Sequence, residues 1–266
     1  MARQPMPFVV ILAGGRGTRL AEETGVRPKP MVEIGGRPVL WHIMKLYGHH
    51  GFNDFAICLG YKGEVIKDYF VNYMWKTQDV HVDLKAGTCQ ATPGAIEPWR
   101  VWLLDTGEAT NTGGRLRRLH HLGLPKGNDS LMMTYGDGLA DVDIHLLWDY
   151  HQSHGKLATV TCAAPPGRFG SIQVDSHGQV TDFEEKPVGG DGRVNAGYFV
   201  LNRQVLEMIR GDNSSFEHEV LPALAREGQL MAHHHSGFWK PMDTARDRDD
   251  LQALWDTNAP WRVWST

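Results

Sequence analysis

Residues 11–30, ILAGGRGTRLAEETGVRPKP, bring Gly14, Gly15 and Gly17 together with Arg19 and Lys29 directly after an apolar run. Residues 8–12, FVVIL, are continuously apolar, the pattern of a parallel strand covered on both faces, and Ala13-Gly14-Gly15-Arg16-Gly17 follows without a spacer. Glycines in such a turn let the backbone approach a ligand closely, and their exposed N–H groups can receive phosphate oxygens. Arg19 offers a planar fork of donors and Lys29 a flexible point charge, two complementary ways of holding a polyphosphate. The same residues would also suit a tight turn flanked by surface cations. The spacing is neither GxxxxGK[ST] nor GxGxxG in its required context.

Two aspartates could add a metal. Asp137 lies in Tyr135-Gly136-Asp137-Gly138, just past a predicted strand, where open α/β sheets gather their ligands. Asp243 lies in Pro241-Met242-Asp243-Thr244. Magnesium takes hard oxygen ligands and commonly only one or two protein carboxylates, with phosphate and water completing its shell. Read alone, Asp137 is a turn residue, Asp243 a helix N-cap, and Glu184-Glu185-Lys186 a solvated charge run. The fourteen histidines invite a metal reading too, above all His233-His234-His235. On a strand, however, neighbouring side chains point to opposite faces and cannot all reach one ion, so a packed or solvated role is expected.

The elements that must position these groups alternate. Strands are predicted at 8–12, 55–59, 80–85, 101–104, 130–134, 157–163, 193–201 and near 230–239, with a hairpin of 170–175 and 179–183. Helices are predicted at 39–50, 64–76, 116–122, 143–154, 216–226 and 244–255, and an irregular loop at 86–98. Such alternation predicts an α/β fold, a mostly parallel, Rossmann-like mixed sheet flanked by helices. A chain of 266 residues, 41% of them hydrophobic, buries roughly three quarters of its unfolded surface, and a single domain is expected. The formal charge of −4 carries no basic stripe, which argues against nucleic acid as a partner. No apolar run approaches the ~20 residues of a membrane span, and the first residues lead into a strand rather than a signal peptide, so a cytoplasmic protein without membrane contact is expected. Cys58, Cys89 and Cys162 form no metal-like pair and are expected to be reduced small hydrophobes. The tryptophans are expected in the core or a subunit contact, with Trp239, four residues before Asp243, the exception that could face a ligand.

The segment GGRGTRL with KP at Lys29-Pro30 resembles the signature of the sugar-1-phosphate nucleotidylyltransferases. Further matches follow in order: DTGEATNTGGRL at 105–116, TYGDGLADVDI at 134–144, PPGRFG at 165–170, FEEKP at 183–187, NAGYFVLN at 195–202 and GFWKPMDTARD at 237–247. The resemblance implies a magnesium-dependent transfer of a nucleotidyl group to a sugar 1-phosphate. It is nearest to the branch that uses CTP and glucose 1-phosphate. It further implies a homo-oligomer, and a nucleotide-binding part at about 7–140 followed by a sugar-phosphate part at about 141–266 with a small β-rich lobe.

Residue by residue, the resemblance assigns Leu12, Ala13, Gly14, Gly15, Arg16, Gly17, Thr18, Arg19 and Lys29 to the triphosphate, with Arg19 and Lys29 catalytic. Thr110, Arg115 and Gly136 join the nucleotide site, Arg115 being expected to aim its donors at O2 and N3 of cytosine. Asp137 and Asp243 become the metal ligands. Gly170, Glu185, Lys186 and Asn195 hold the sugar phosphate. Asn195-Ala196-Gly197 departs from the Asn-Gly-Gly of near relatives, and the extra methyl is expected to narrow the sugar pocket. A different sugar 1-phosphate, UTP or dTTP, or a non-catalytic nucleotide-sugar sensor are the alternative readings.

Overall fold

The computed structural model describes residues 7–264 apart from 93, 95, 124–128, 165–170, 175–179 and 185–192. At its centre is a seven-stranded sheet in the order Leu230–His235, Ala158–Ala163, Val194–Asn202, Ser130–Tyr135, Val9–Leu12, Asp54–Leu59, Arg100–Asp105. Val9–Leu12 runs parallel to both its neighbours, and the pairs Asp54–Leu59/Arg100–Asp105 and Ala158–Ala163/Leu230–His235 are parallel too. Val194–Asn202 runs antiparallel to the strands on either side of it. Three strands from the second half of the chain therefore complete the same sheet that the first half begins.

The apolar run at the start of the chain forms the middle of that sheet because both its faces find a core. Val9 and Ile11 pack with Phe55, Ile57 and Met132, while Val10 and Leu12 pack on the opposite side with Ala56, Cys58, Leu131 and Met133. This is the two-residue pleat of a strand covered twice. Helix Val39–His49 closes the first face with Leu40, Ile43, Met44 and Tyr47, and helix Ala245–Thr257 adds Leu251. Helices Thr112–His121 and Leu221–Arg226 close the second with Leu116, Leu119 and Leu224. Each such side chain removed from water contributes on the order of 1.5–3 kcal/mol, which is what fixes the sheet's edge in space.

Several elements differ from the sequence expectation. The helix expected over 64–76 is two, Gly63–Val71 and Tyr73–Thr77, broken at Asn72, whose side chain bonds back to Asp68. The loop expected at 86–98 contains strand Thr88–Ala91, which pairs with Val80–Asp83. The helix expected from 116 starts a turn earlier, at Thr112, with Asn111 capping it. The histidine triplet does lie on a strand: His234 is exposed, and His233 and His235 are half-buried. The Cys58 thiol is pushed up to about 12 by burial, whereas Cys89 is exposed, so only the former packs as a hydrophobe. No helix among the described residues is long and apolar enough to cross a membrane.

Candidate active site

Strands that run the same way deliver their following loops to one edge. Gly14–Gly17 follow Val9–Leu12, Gly60 follows Asp54–Leu59, Thr106–Thr110 follow Arg100–Asp105, and Gly136–Asp137 follow Ser130–Tyr135. The antiparallel strand Val194–Asn202 pairs Tyr198 with Thr134 and Asn202 with Ser130, so its first residues, Asn195 among them, reach the same edge. The rim of the sheet thus gathers segments from positions far apart in the chain.

A cleft of about 350 Å³ opens there. Leu12, Ala13, Gly14, Gly15, Gly17 and Thr18 form one wall, and Arg19, Lys29, Asp137 and Asp243 one end. Thr110, Arg115 and Gly136 complete it, together with Asn111 and Thr112 of the loop 110–115 and with Tyr135, which the sequence did not mark. Arg16 lies outside the cleft: exposed, it pairs with Glu108 at 2.8 Å. A second cleft of about 220 Å³ adjoins the first and shares Tyr135, Asp137 and Asp243 with it. Asn195, Ala196 and Trp239 line this one, and the Trp239 indole donates to the Ala196 carbonyl at 2.8 Å. Gly170, Glu185 and Lys186 lie outside the described residues.

Lys29 is held in a short turn between Pro28 and Pro30 and is buried. Its ammonium donates to Asp137 Oδ2 at 2.6 Å and to Asp243 Oδ1 at 2.8 Å, and Arg19 approaches the same Asp243 oxygen at 3.0 Å. Burial by itself would lower the lysine's pKa; the two carboxylates outweigh it and hold the pKa above its ordinary value. Asp243 does not cap the following helix. Thr244 does, in a capping box with Asp247, and this leaves the Asp243 carboxylate turned toward Lys29 and Arg19. Two carboxylates that converge on one cation are a hard-oxygen donor set suited to magnesium. Among the described residues no group of three or more histidine, cysteine or acidic side chains could hold an ion, so these two would need phosphate and water to complete the shell.

Arg115 corrects an expectation. It is buried, and its Nη1 donates to Leu59 O, Thr106 Oγ1 and Gly107 O at 2.8–2.9 Å, while Nη2 donates to Gly14 O at 3.0 Å and Glu108 O at 3.4 Å. These nitrogens face more acceptors than they have N–H bonds, so the guanidinium ties the loops of three strands together instead of pointing donors at a base. Gly14 is part of the same arrangement: a Cβ there would stand 2.1 Å from Arg115 Nη1. Gly15, with nothing within 4 Å of a Cβ, is the glycine whose backbone faces open cleft.

This arrangement can receive a chain of phosphates along the glycine turn, with two cations and two metal-capable carboxylates at one end and a second cleft beyond them. The chain is 51% identical over 256 residues to the glucose-1-phosphate cytidylyltransferase of Salmonella typhi, covering 96% of this chain and 98% of that one. It is 30% identical over 247 residues to a mannose-1-phosphate guanyltransferase of Saccharomyces cerevisiae, covering 91% of this chain and 62% of the relative. Among solved structures, HddC from Yersinia pseudotuberculosis shares the fold with a TM-score of 0.67 at 24% identity, over 94% of this chain and 100% of that one. The model of the family described as Nucleotidyl transferase matches residues 8–259, and the chain belongs to that family.

Proposed function

We propose that this chain transfers a cytidylyl group from CTP to α-D-glucose 1-phosphate, forming CDP-glucose and releasing pyrophosphate, as one nucleotidyltransferase domain. The observation that carries the reading is the meeting of Lys29, Asp137 and Asp243 at the end of a glycine-walled cleft. Half-identity over nearly the full length to a glucose-1-phosphate cytidylyltransferase supports the choice of substrates.

In this reading an oxygen of the sugar phosphate attacks the α-phosphorus of CTP. A new P–O bond forms while the bond from the α-phosphorus to the α–β bridging oxygen breaks, and pyrophosphate departs with that electron pair. No protein nucleophile is needed, so alignment and charge neutralisation supply the acceleration. The Gly15 backbone and Arg19 hold the β- and γ-phosphates, and Arg19 balances charge on the leaving group. Lys29 exchanges its carboxylate partners for the attacking and attacked phosphates. A magnesium ion held by Asp137 and Asp243 would neutralise phosphate oxygens and fix their orientation. Asn195 and Trp239 line the space for the hexose, narrowed by the Ala196 methyl, and Gly170, Glu185 and Lys186 act there by resemblance. The protein works in the cytoplasm as a homo-oligomer, a state that light scattering would measure.

Pyrophosphate release over a grid of triphosphates and sugar 1-phosphates tests the reading. We expect CTP with glucose 1-phosphate to lead, with UTP and dTTP at least about tenfold lower in kcat/KM, a difference worth one mismatched buried hydrogen bond. Equal use of UTP would remove the base assignment. No release from any triphosphate would remove the reaction.

A further inference from the structure

Behind the wall between the two clefts lies a carboxylate that the reaction does not use. Tyr135, the last residue of its strand, lines both clefts, and Thr112, the first residue of its helix, lines the nucleotide cleft. Both hydroxyls donate to Glu217: Tyr135 Oη to Oε1 at 2.5 Å and Thr112 Oγ1 to Oε2 at 2.6 Å. Ser215 Oγ adds a third bond to Oε2 at 3.1 Å. Hydroxyl-to-carboxylate bonds of this length are charge-assisted and about twice as strong as neutral ones.

The segment that carries Glu217 is locked to the helix at Thr112. The Asn111 N–H donates to Asp212 O at 2.8 Å, the Gly114 N–H to Ser214 O at 3.2 Å, and the Phe216 N–H to Thr112 Oγ1 at 3.0 Å. A Cβ at Gly113 or Gly114 would lie 2.7 Å from Ser214 O or 2.3 Å from Asp212 O, so the paired glycines of Thr112-Gly113-Gly114-Arg115 serve this close backbone approach. Glu217 itself sits on a π-helical turn, Phe216–Val220, a rare local geometry that recurs at functional sites. Because Thr112 Oγ1 already accepts from Phe216, its own proton is directed to Glu217.

We propose that Glu217 is a positioning residue that sets the spacing of the nucleotide and sugar-phosphate subsites, by fixing Thr112 on one wall and Tyr135 on the partition between them. The inference rests on the proposed assignment of the two clefts. An in-line attack across that partition is sensitive to displacements near 1 Å, so a loosened Tyr135 would weaken both substrates and misalign them.

Steady-state kinetics with CTP and glucose 1-phosphate, on the full chain with magnesium, tests it. Glu217→Ala should raise both KM values severalfold and lower kcat/KM about tenfold or more. Tyr135→Phe should act mainly on the KM of glucose 1-phosphate and Thr112→Val mainly on that of CTP. In the Glu217→Ala background, adding Tyr135→Phe should cost little further, because that branch is already broken. Unchanged KM values in Glu217→Ala, or fully additive losses in the double variant, would overturn the proposal. If Glu217→Ala fails to fold, Glu217→Gln carries the test. Its amide has one acceptor oxygen where the carboxylate has two, so at least one KM should rise severalfold with the melting temperature preserved, and two unchanged values would overturn the proposal. Wild-type protein inactive on both substrates would instead overturn the assignment of the clefts, which keeps the two failures distinct.

Discussion

Lys29 and Asp137 meet at 2.6 Å across 108 residues of sequence, and the same ammonium reaches Asp243, 214 residues away, at 2.8 Å. A buried lysine held by two carboxylates is a charge ready to be handed to phosphates. Lys29→Ala should lower turnover by about two to three orders of magnitude, comparable to losing one preorganised donor to a developing oxyanion. Arg27 engages Glu23 and Glu33 outside the cleft, so Arg27→Ala should have a much smaller effect, mainly on KM. Single-turnover kinetics would check both, and a dominant kcat loss in Arg27→Ala would mean that the two cations are reversed.

Asp137→Asn and Asp243→Asn each remove one carboxylate of the proposed magnesium site and one charged partner of Lys29. Both variants should fold, because Asp243 leaves helix capping to Thr244 and Asp137 lies past its strand. Each should lose most magnesium-dependent turnover, and EDTA should abolish wild-type activity. Binding of Mn²⁺, followed by its paramagnetic signal in the presence of CTP, should weaken at least about tenfold in either variant. Full turnover after chelation would remove the metal role from this pair.

The end of the cleft to which we assign the chemistry was legible in part because some of its parts are local. Gly136-Asp137-Gly138 and Asp243-Thr244 each sit at a strand or helix end that periodicity locates, whereas Lys29-Pro30 lies in a short turn between predicted elements and was marked by the resemblance and not by periodicity. What lay hidden depends on long-range packing. Arg115 looked like a ligand-reading arginine because the donors of a guanidinium are visible in a sequence, whereas the carbonyls of Gly14, Leu59 and Gly107 that surround it are not. The helix begins at Thr112 rather than at 116 although glycine has low helix propensity, because Gly113 and Gly114 pack against the backbone of Ser214 and Asp212. Glu217, in Phe216-Glu217-His218-Glu219, reads as a solvated helix face; only the fold brings it to Thr112 and Tyr135, 105 and 82 residues earlier.

Gly14 and Gly15 are neighbours with opposite tolerances. Gly14→Ala would drive a methyl into Arg115 and unseat the guanidinium from its carbonyls, leaving several buried acceptors unpaired. We expect a loss of about 2–4 kcal/mol in stability together with activity on every triphosphate. Gly15→Ala meets nothing within 4 Å and should melt close to wild type while raising the KM for CTP. Arg115→Ala should behave like Gly14→Ala, weakening all triphosphates together. A variant that stays stable and loses only the preference for CTP would return Arg115 to direct base reading. Denaturant midpoints and a triphosphate panel separate these outcomes.

Acid stability follows from two buried imidazoles. His42 is held neutral: its Nε2–H donates to Ile34 O at 2.9 Å, and its Nδ1 accepts from the Trp261 indole at 3.3 Å, where a proton would meet another N–H. Burial lowers its pKa to about 4, and burial followed by the nearby His154 does the same to His151. Unfolded histidine binds its proton near pH 6.5, so between about 6.5 and 4 the unfolded chain carries more protons and stability must fall with pH. The effect of each group is on the order of 3 kcal/mol, fully present above pH 6.5 and lost as pH falls toward 4. His50 and His233, also lowered first by burial, act in the same direction. Urea midpoints at pH 7.5, 6.0, 5.0 and 4.5 should therefore decline steadily, with the loss beginning well above the range in which carboxylates titrate. His42→Gln should be less stable at pH 7.5 yet lose less on acidification. A wild-type midpoint that is flat from pH 6.5 to 4.5 would show that these imidazoles are protonated in the folded protein as readily as in the unfolded chain.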